Sequence, residues 1–194
     1  MRVGVLALQG DFREHLAALE NIGVAAISVK KADEIEAIDA LIIPGGESTT
    51  IAKLARTFGV FDSIQKRIAS GMPVYGSCAG LILLANKVID GIEGQETFGG
   101  LDITARRNAF GRQVDSFEGE IEFKGIGKLN GVFIRAPWVE EIGEGVEVLA
   151  TSHGHPVAVR QDNILATSFH PELTNDHAVH NYFVSEICAN SLKI

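Results

Sequence analysis

Apolar positions near the start of the chain fall alternately into short unbroken runs and into helical spacing. Residues 2–8 (RVGVLAL) form such a run, bounded by Gln-Gly-Asp. Phe12, Leu16, Leu19 and Ile22 then recur at helical intervals up to Gly23, which predicts a strand followed by a helix with Asp11 as its N-cap. The unit repeats. AAISVK reads as a strand, ALIIPGG as a strand ending in a glycine turn, and Ser48 or Thr49 can cap a helix carrying Ile51, Leu54 and Ala55. A further helix is predicted from about Phe61 to Ala69, closed by Ser70-Gly71, before a strand MPVYG and a helix AGLILLANKVI. Strands alternating with helices call for a parallel sheet covered on both faces.

Beyond Asp90 the pattern changes. Residues 91–112 are rich in glycine and polar side chains. EGEIEF, GVFIRAP, VEVLATS, HPVAVRQ and ILATSF then read as short strands separated by turns, and a helix from about Asp176 to Asn190 closes the chain. No linker-like stretch separates the halves, so residues 1–194 are read as one α/β domain with a β-rich C-terminal half. At 194 residues one core suffices, since folding at this length buries roughly 70% of the unfolded chain's surface.

Composition narrows the function. With 46% apolar and 22% charged residues the chain is that of an ordinary globular protein. A formal charge of −8 with no run of Lys or Arg argues against nucleic acid or anionic lipid as partner. No stretch approaches the ~20 apolar residues of a membrane span, and the short apolar run after Met1 does not suit a signal segment. Two cysteines make a poor disulfide framework and suit a cytoplasmic protein, with Cys188 a packing residue on the last helix.

The other cysteine stands in Gly76-Ser77-Cys78-Ala79-Gly80, between an apolar strand and an apolar helix. This has the form of the nucleophile elbow, in which a sharp turn lifts the attacking atom clear of the sheet and the start of a helix favours its anion. A buried small side chain in a glycine-rich turn fits the pentapeptide equally well. Ser168-Phe169-His170-Pro171-Glu172 tips the balance: Pro171 disfavours helix at His170, and in extended chain residues i and i+2 point the same way. The His170 imidazole can then face Cys78 while Glu172 fixes its tautomer. Pro44-Gly45-Gly46 offers backbone N–H donors for an oxyanion near Gly45 and Gly46, and the amide of Ala79 offers another. The remaining histidines, His15, His153, His155, His177 and His180, are read as solvated, and no metal site is expected.

The set P-G-G-E-S (44–48), G-S-C-A-G (76–80) and H-P-E (170–172) resembles the class I, triad-type glutamine amidotransferases. More narrowly, LALQGDFREH, PGGESTT, RNAFGRQVDSFE (107–118), GVFIRAP and SFHPELTNDH are similar to the glutaminase subunits of pyridoxal 5′-phosphate synthase complexes, from Val3 to about His177. Ser77 stands where threonine is common in that family. The resemblance implies a single-domain, flavodoxin-like fold and hydrolysis of L-glutamine to glutamate and ammonia, with no cofactor. Cys78 would form a γ-glutamyl thioester, with His170 as acid and base and Glu172 orienting it. Gly46, Glu47, Ser48, Arg107, Ile134 and Arg135 would bind glutamine, with Arg106 a neighbouring competitor for its carboxylate. The implied partner is a separate barrel-fold synthase subunit that uses the ammonia in a multi-subunit assembly. Gln9 and Gly10 are expected to switch the oxyanion site when it docks. Other elbow-cysteine hydrolases and other ammonia-using synthases stay open. So does a nucleotide- or flavin-binding module, although no phosphate-loop fingerprint is present.

Overall fold

A computed structural model of the chain describes residues 1–110 and 116–191. Its centre is a seven-stranded sheet. The strands β1 (Val3–Leu6), β2 (Ala26–Val29), β3 (Ala40–Ile43), β4 (Val74–Ser77), β10 (Glu147–Ser152), β11 (His155–Gln161) and β12 (Ile164–Thr167) lie in the order β10-β11-β12-β4-β3-β1-β2. From β2 to β12 every pairing is parallel, and β11 and β10 continue it antiparallel. Helices α1 (Phe12–Asn21), α2 (Ala32–Glu36), α3 (Ser48–Thr57) and α4 (Phe61–Ala69) connect the parallel strands of the first half, and α5 (Ala79–Leu84) follows β4.

The unbroken apolar runs follow from burial on both faces. Along β3, Leu41 and Ile43 enter one core cluster with Leu6, Phe61, Val74 and Leu81. Ala40 and Ile42 point the other way, into a cluster with Val5, Tyr75, Phe169 and Phe183. A strand with period-two side chains and no solvent face needs apolar residues at both parities.

Around this frame sit a three-stranded sheet of β5 (Ala85–Ile89), β6 (Leu101–Arg106) and β9 (Trp138–Ile142), and a hairpin of β7 (Ser116–Phe123) and β8 (Gly127–Ile134). The closing helix runs as α6 (Ala178–Tyr182), a π-helical stretch (Phe183–Cys188) and α7 (Ala189–Ser191). Cys188 is buried there, and burial pushes its thiol up to about 12, so it serves as packing. Among the described residues no helix is long and apolar enough to cross a membrane.

Several local expectations need correction. AGLILLANKVI is not one helix: α5 ends at Leu84 and the chain turns extended into β5, because an all-buried run carries no periodicity to separate the two. The glycine-rich segment hides β6, whose Leu101, Ile103 and Ala105 alternate inward. Asp11 makes no capping bond, and α3 is capped by Glu47, whose carboxylate accepts from the Thr49 N–H, rather than by Ser48 or Thr49.

Candidate active site

Three loops leave the carboxyl ends of β1, β3 and β4 on one edge of the sheet, where open α/β folds bind ligands. Cys78 lies between β4 and α5 with φ 48°, left-handed backbone that costs a non-glycine residue of order 1–3 kcal/mol. Its neighbours make the turn feasible. A Cβ at Gly76 would stand 2.5 Å from the Gly80 carbonyl carbon, and one at Gly80 would stand 2.3 Å from the Ile43 carbonyl oxygen. Only a residue without a side chain fits either position.

The β12 strand pairs beside β4, so the segment after it arrives next to the elbow. His170 Nδ1 donates to Glu172 Oε1 at 2.8 Å, and both side chains are buried. Burial pushes the imidazole down, but the Cys78 thiol and the Glu172 carboxylate outweigh it and raise His170 to about 11. Burial also opposes the Glu172 charge, yet His15 and His170 hold that carboxyl well below its ordinary range. The Cys78 Sγ makes a long contact of 3.9 Å to the carbonyl of Ile134. Asp11 Oδ2 lies 3.5 Å from His170 Nδ1, and partial burial raises its carboxyl.

A cleft of about 420 Å³ opens over Cys78, lined among others by Gly46, Glu47, Ser48, Arg107 and His170. Ala79, Ile134 and Arg135 complete its wall, the last at φ 44°. Arg107 donates to Glu47 Oε1 at 2.9 Å and to Gln95 Oε1 at 3.1 Å, and Gln95 in turn donates to Ser48 Oγ at 3.0 Å. Arg106 is held away from the cleft by Glu140 and Asp90. Part of the RNAFGRQVDSFE block (107–118), residues 111–115, lies outside the described residues.

Gln9, Gly10 and Gly45 sit just behind the cleft. The Gln9 side chain accepts from the Glu47 N–H at 2.8 Å, and the Asp11 N–H donates to Gly45 O at 3.1 Å. Gly10, at φ 94°, packs so closely that a Cβ would overlap that same oxygen. The Gly45 N–H is engaged by Ser77 Oγ at 3.1 Å.

Sequence reasoning missed Asp11 as a cleft residue, Gln95 as the brace between Arg107 and Ser48, and the histidines behind Glu172. His15 and His180 are fully buried, not solvated. His153 is exposed, and His155 stacks on Trp138 with centroids 3.7 Å apart. Among the described residues the one cluster of three possible metal ligands is Asp11, His170 and Glu172, which is the buried histidine–carboxylate pair plus its neighbouring carboxylate.

A strand-to-helix cysteine beside a buried histidine–carboxylate pair has the chemistry of thiol-dependent acyl transfer. The comparisons agree. A profile of the SNO glutamine amidotransferase family matches residues 5–189. A Mycolicibacterium vanbaalenii protein, pyridoxal 5′-phosphate synthase subunit PdxT, is 58% identical over 190 residues, covering 96% of this chain and 97% of that protein. Its namesake from Acidothermus cellulolyticus is 59% identical, covering 98% of this chain and 95% of its own length. A crystal structure described as glutamine amidotransferase superposes with a TM-score of 0.91 at 53% identity, over 96% of this chain and 98% of that one. The PurLQS structure from Thermotoga maritima, at 16% identity, a TM-score of 0.70 and 99% coverage of both chains, shares the fold alone. The chain belongs to the SNO glutamine amidotransferase family.

Proposed function

We propose that this chain is the glutaminase subunit of a pyridoxal 5′-phosphate synthase, built as one domain over residues 1–194, that hydrolyses L-glutamine and passes the ammonia to a barrel-fold synthase subunit. The observation that carries the reading is Cys78, held at a strained elbow beside the His170–Glu172 pair. The Cys78 thiolate attacks the side-chain amide carbon of glutamine, and the carbonyl π electrons move onto oxygen. Gly46 and Ala79 supply N–H groups for that oxyanion, since the Gly45 N–H is already engaged by Ser77. The C–N bond then breaks, and the electron pair leaves with nitrogen, which takes a proton from the His170 imidazolium as ammonia. Neutral His170 next removes a proton from water, the hydroxide adds to the thioester, and the C–S bond breaks to release glutamate and the thiolate.

Arg107 holds the substrate carboxylate and Glu47 accepts from its ammonium, with Ser48, Ile134 and Arg135 shaping the cleft. The Gln9-Gly10 turn abuts Gly45, so a rotation of that peptide on docking would reach the oxyanion donors. Two unpaired thiols suit a cytoplasmic setting. The test is covalent labelling with a glutamine-mimicking electrophile, located by peptide mass spectrometry. Label on Cys78, suppressed by excess glutamine, is the expected result. Labelling elsewhere, or labelling that glutamine fails to suppress, overturns the reading.

A further inference from the structure

Behind the Cys78 elbow lies a chain of buried polar groups, none of them among the residues that line the cleft. His15, on α1, is fully buried, with Nε2 2.9 Å from Ser77 Oγ and 3.4 Å from Glu172 Oε1. Its Nδ1 stands 2.9 Å from Nε2 of His180, also fully buried, on α6. Ser77 Oγ lies 3.2 Å from Glu172 Oε1 and accepts from the Gly45 N–H at 3.1 Å.

A proton count gives this chain a direction. The Ser77 hydroxyl has one proton, and the Glu172 carboxylate is the partner that can only accept it. Ser77 must therefore accept from His15, which places a proton on His15 Nε2; in the neutral ring Nδ1 is then an acceptor for the Nε2–H of His180. The opposite arrangement would aim a His15 lone pair at the carboxylate. It would also strand an N–H at His180 Nδ1, an atom with no partner among the described residues, and orphaned buried N–H groups are rare.

We propose that His15 and His180 are positioning residues for this reaction, forming with Ser77 a one-way relay of hydrogen-bond donors that fixes Glu172, and through it the tautomer and orientation of His170. This rests on the assignment of His170 and Glu172 as the acid–base pair. Packing alone does not explain the arrangement, because two buried imidazoles carry a desolvation cost that an apolar pair of similar size would avoid. Burial holds His180 down at about 3, so it remains a neutral donor across the working pH range. The ionisable groups facing the relay are Tyr75, edge-on to both rings, His177 beside His180, and His170, Asp11 and Cys78 on the cleft side.

The test is glutamine hydrolysis by the subunit with an active pyridoxal 5′-phosphate synthase partner, comparing wild type with His15→Leu and His15→Gln. Leu removes the donor at similar volume, whereas Gln restores an N–H near the Nε2 position. His15→Leu is expected to lower kcat about 10- to 100-fold, with KM for glutamine changed less than about twofold, and His15→Gln to recover most of the loss. A less firmly held carboxylate stabilises the His170 imidazolium less, so the alkaline limb of kcat moves to lower pH in His15→Leu and returns in His15→Gln. Wild-type kcat with an unmoved alkaline limb in His15→Leu would overturn the proposal. A second measurement needs neither a folded variant nor turnover: ¹⁵N shifts of the wild-type histidine rings. Protonation of both His15 and His180 at Nε2 supports the relay, and His15 protonated at Nδ1 alone refutes it. A wild type that hydrolyses no glutamine would count against the glutaminase reading, while the ring shifts would still decide the relay.

Discussion

Replacing Glu172 by Gln keeps the shape of the side chain and removes its charge. Glu172 Oε1 accepts from His170 at 2.8 Å and from Ser77 at 3.2 Å, with His15 Nε2 at 3.4 Å, so donors surround one oxygen. Hydrogen bonds to a charged group contribute about 1.5–3 kcal/mol each, against roughly 1 kcal/mol for neutral pairs. Neutralising an acceptor of two such bonds therefore forfeits about 1–4 kcal/mol of support for the His170–Glu172 pair. At 1.36 kcal/mol per tenfold change in rate, kcat is expected to fall by roughly 5- to 1,000-fold. KM for glutamine should stay within about twofold, because Glu172 lies behind the cleft and is not among its lining residues. The alkaline limb should also move to lower pH, since the carboxylate helps to raise His170 to about 11. The assay is partner-stimulated glutamate release across pH, with circular dichroism to verify folding. A folded Glu172→Gln protein with kcat within twofold of wild type would refute the role given to this carboxylate.

Three further outcomes are expected. Arg107→Ala should raise KM for glutamine roughly 10- to 150-fold by removing a charged hydrogen-bond donor from the cleft, whereas Arg106→Ala, whose partners Glu140 and Asp90 lie outside it, should change KM little; steady-state kinetics on both separates them. Gly80→Ala should cost about 1–3 kcal/mol, and so lower Tm by roughly 2–12 °C, because its Cβ would stand 2.3 Å from the Ile43 carbonyl oxygen; calorimetry reads the shift and a glutaminase assay the misplaced nucleophile. Stability should also depend on His170: its folded value of about 11 lies above the ordinary 6.5, so its contribution is full below about pH 6.5 and fades as pH rises towards 11. The difference in urea midpoint between wild type and His170→Gln should shrink over that interval, and a difference that grows would reverse the sign of the coupling.

How far the sequence was legible depended on whether a signal was local. The parallel sheet could be read because doubly buried strands are unbroken apolar runs, and α4 was found with both ends at the expected residues, Phe61 and Ala69. The elbow was legible because its glycines are grouped in one pentapeptide: a Cβ at Gly76 would meet Gly80 within the turn, although the contact that excludes one at Gly80 comes from Ile43 on β3. Reading failed where two states share one pattern, as in LILLA (81–85), where helix gives way to strand inside an all-apolar run. It failed again where a polar residue takes its meaning from a distant partner. His15 and His180 are 165 positions apart and meet only in the fold, and each alone resembles a surface histidine on a helix. Asp11 is spaced as an N-cap, yet its carboxylate is turned towards His170. Between Arg106 and Arg107, the choice of cleft residue follows from which one Glu140 and Asp90 hold away.

The central claim is that Cys78 hydrolyses glutamine for a synthase partner. Its most direct test is glutamate release from glutamine by the purified chain, with and without an active pyridoxal 5′-phosphate synthase subunit, and with Cys78→Ala in parallel. Release that rises with the partner and disappears in Cys78→Ala is the predicted result. No release in the presence of a verified active partner, or release that survives Cys78→Ala, would contradict it.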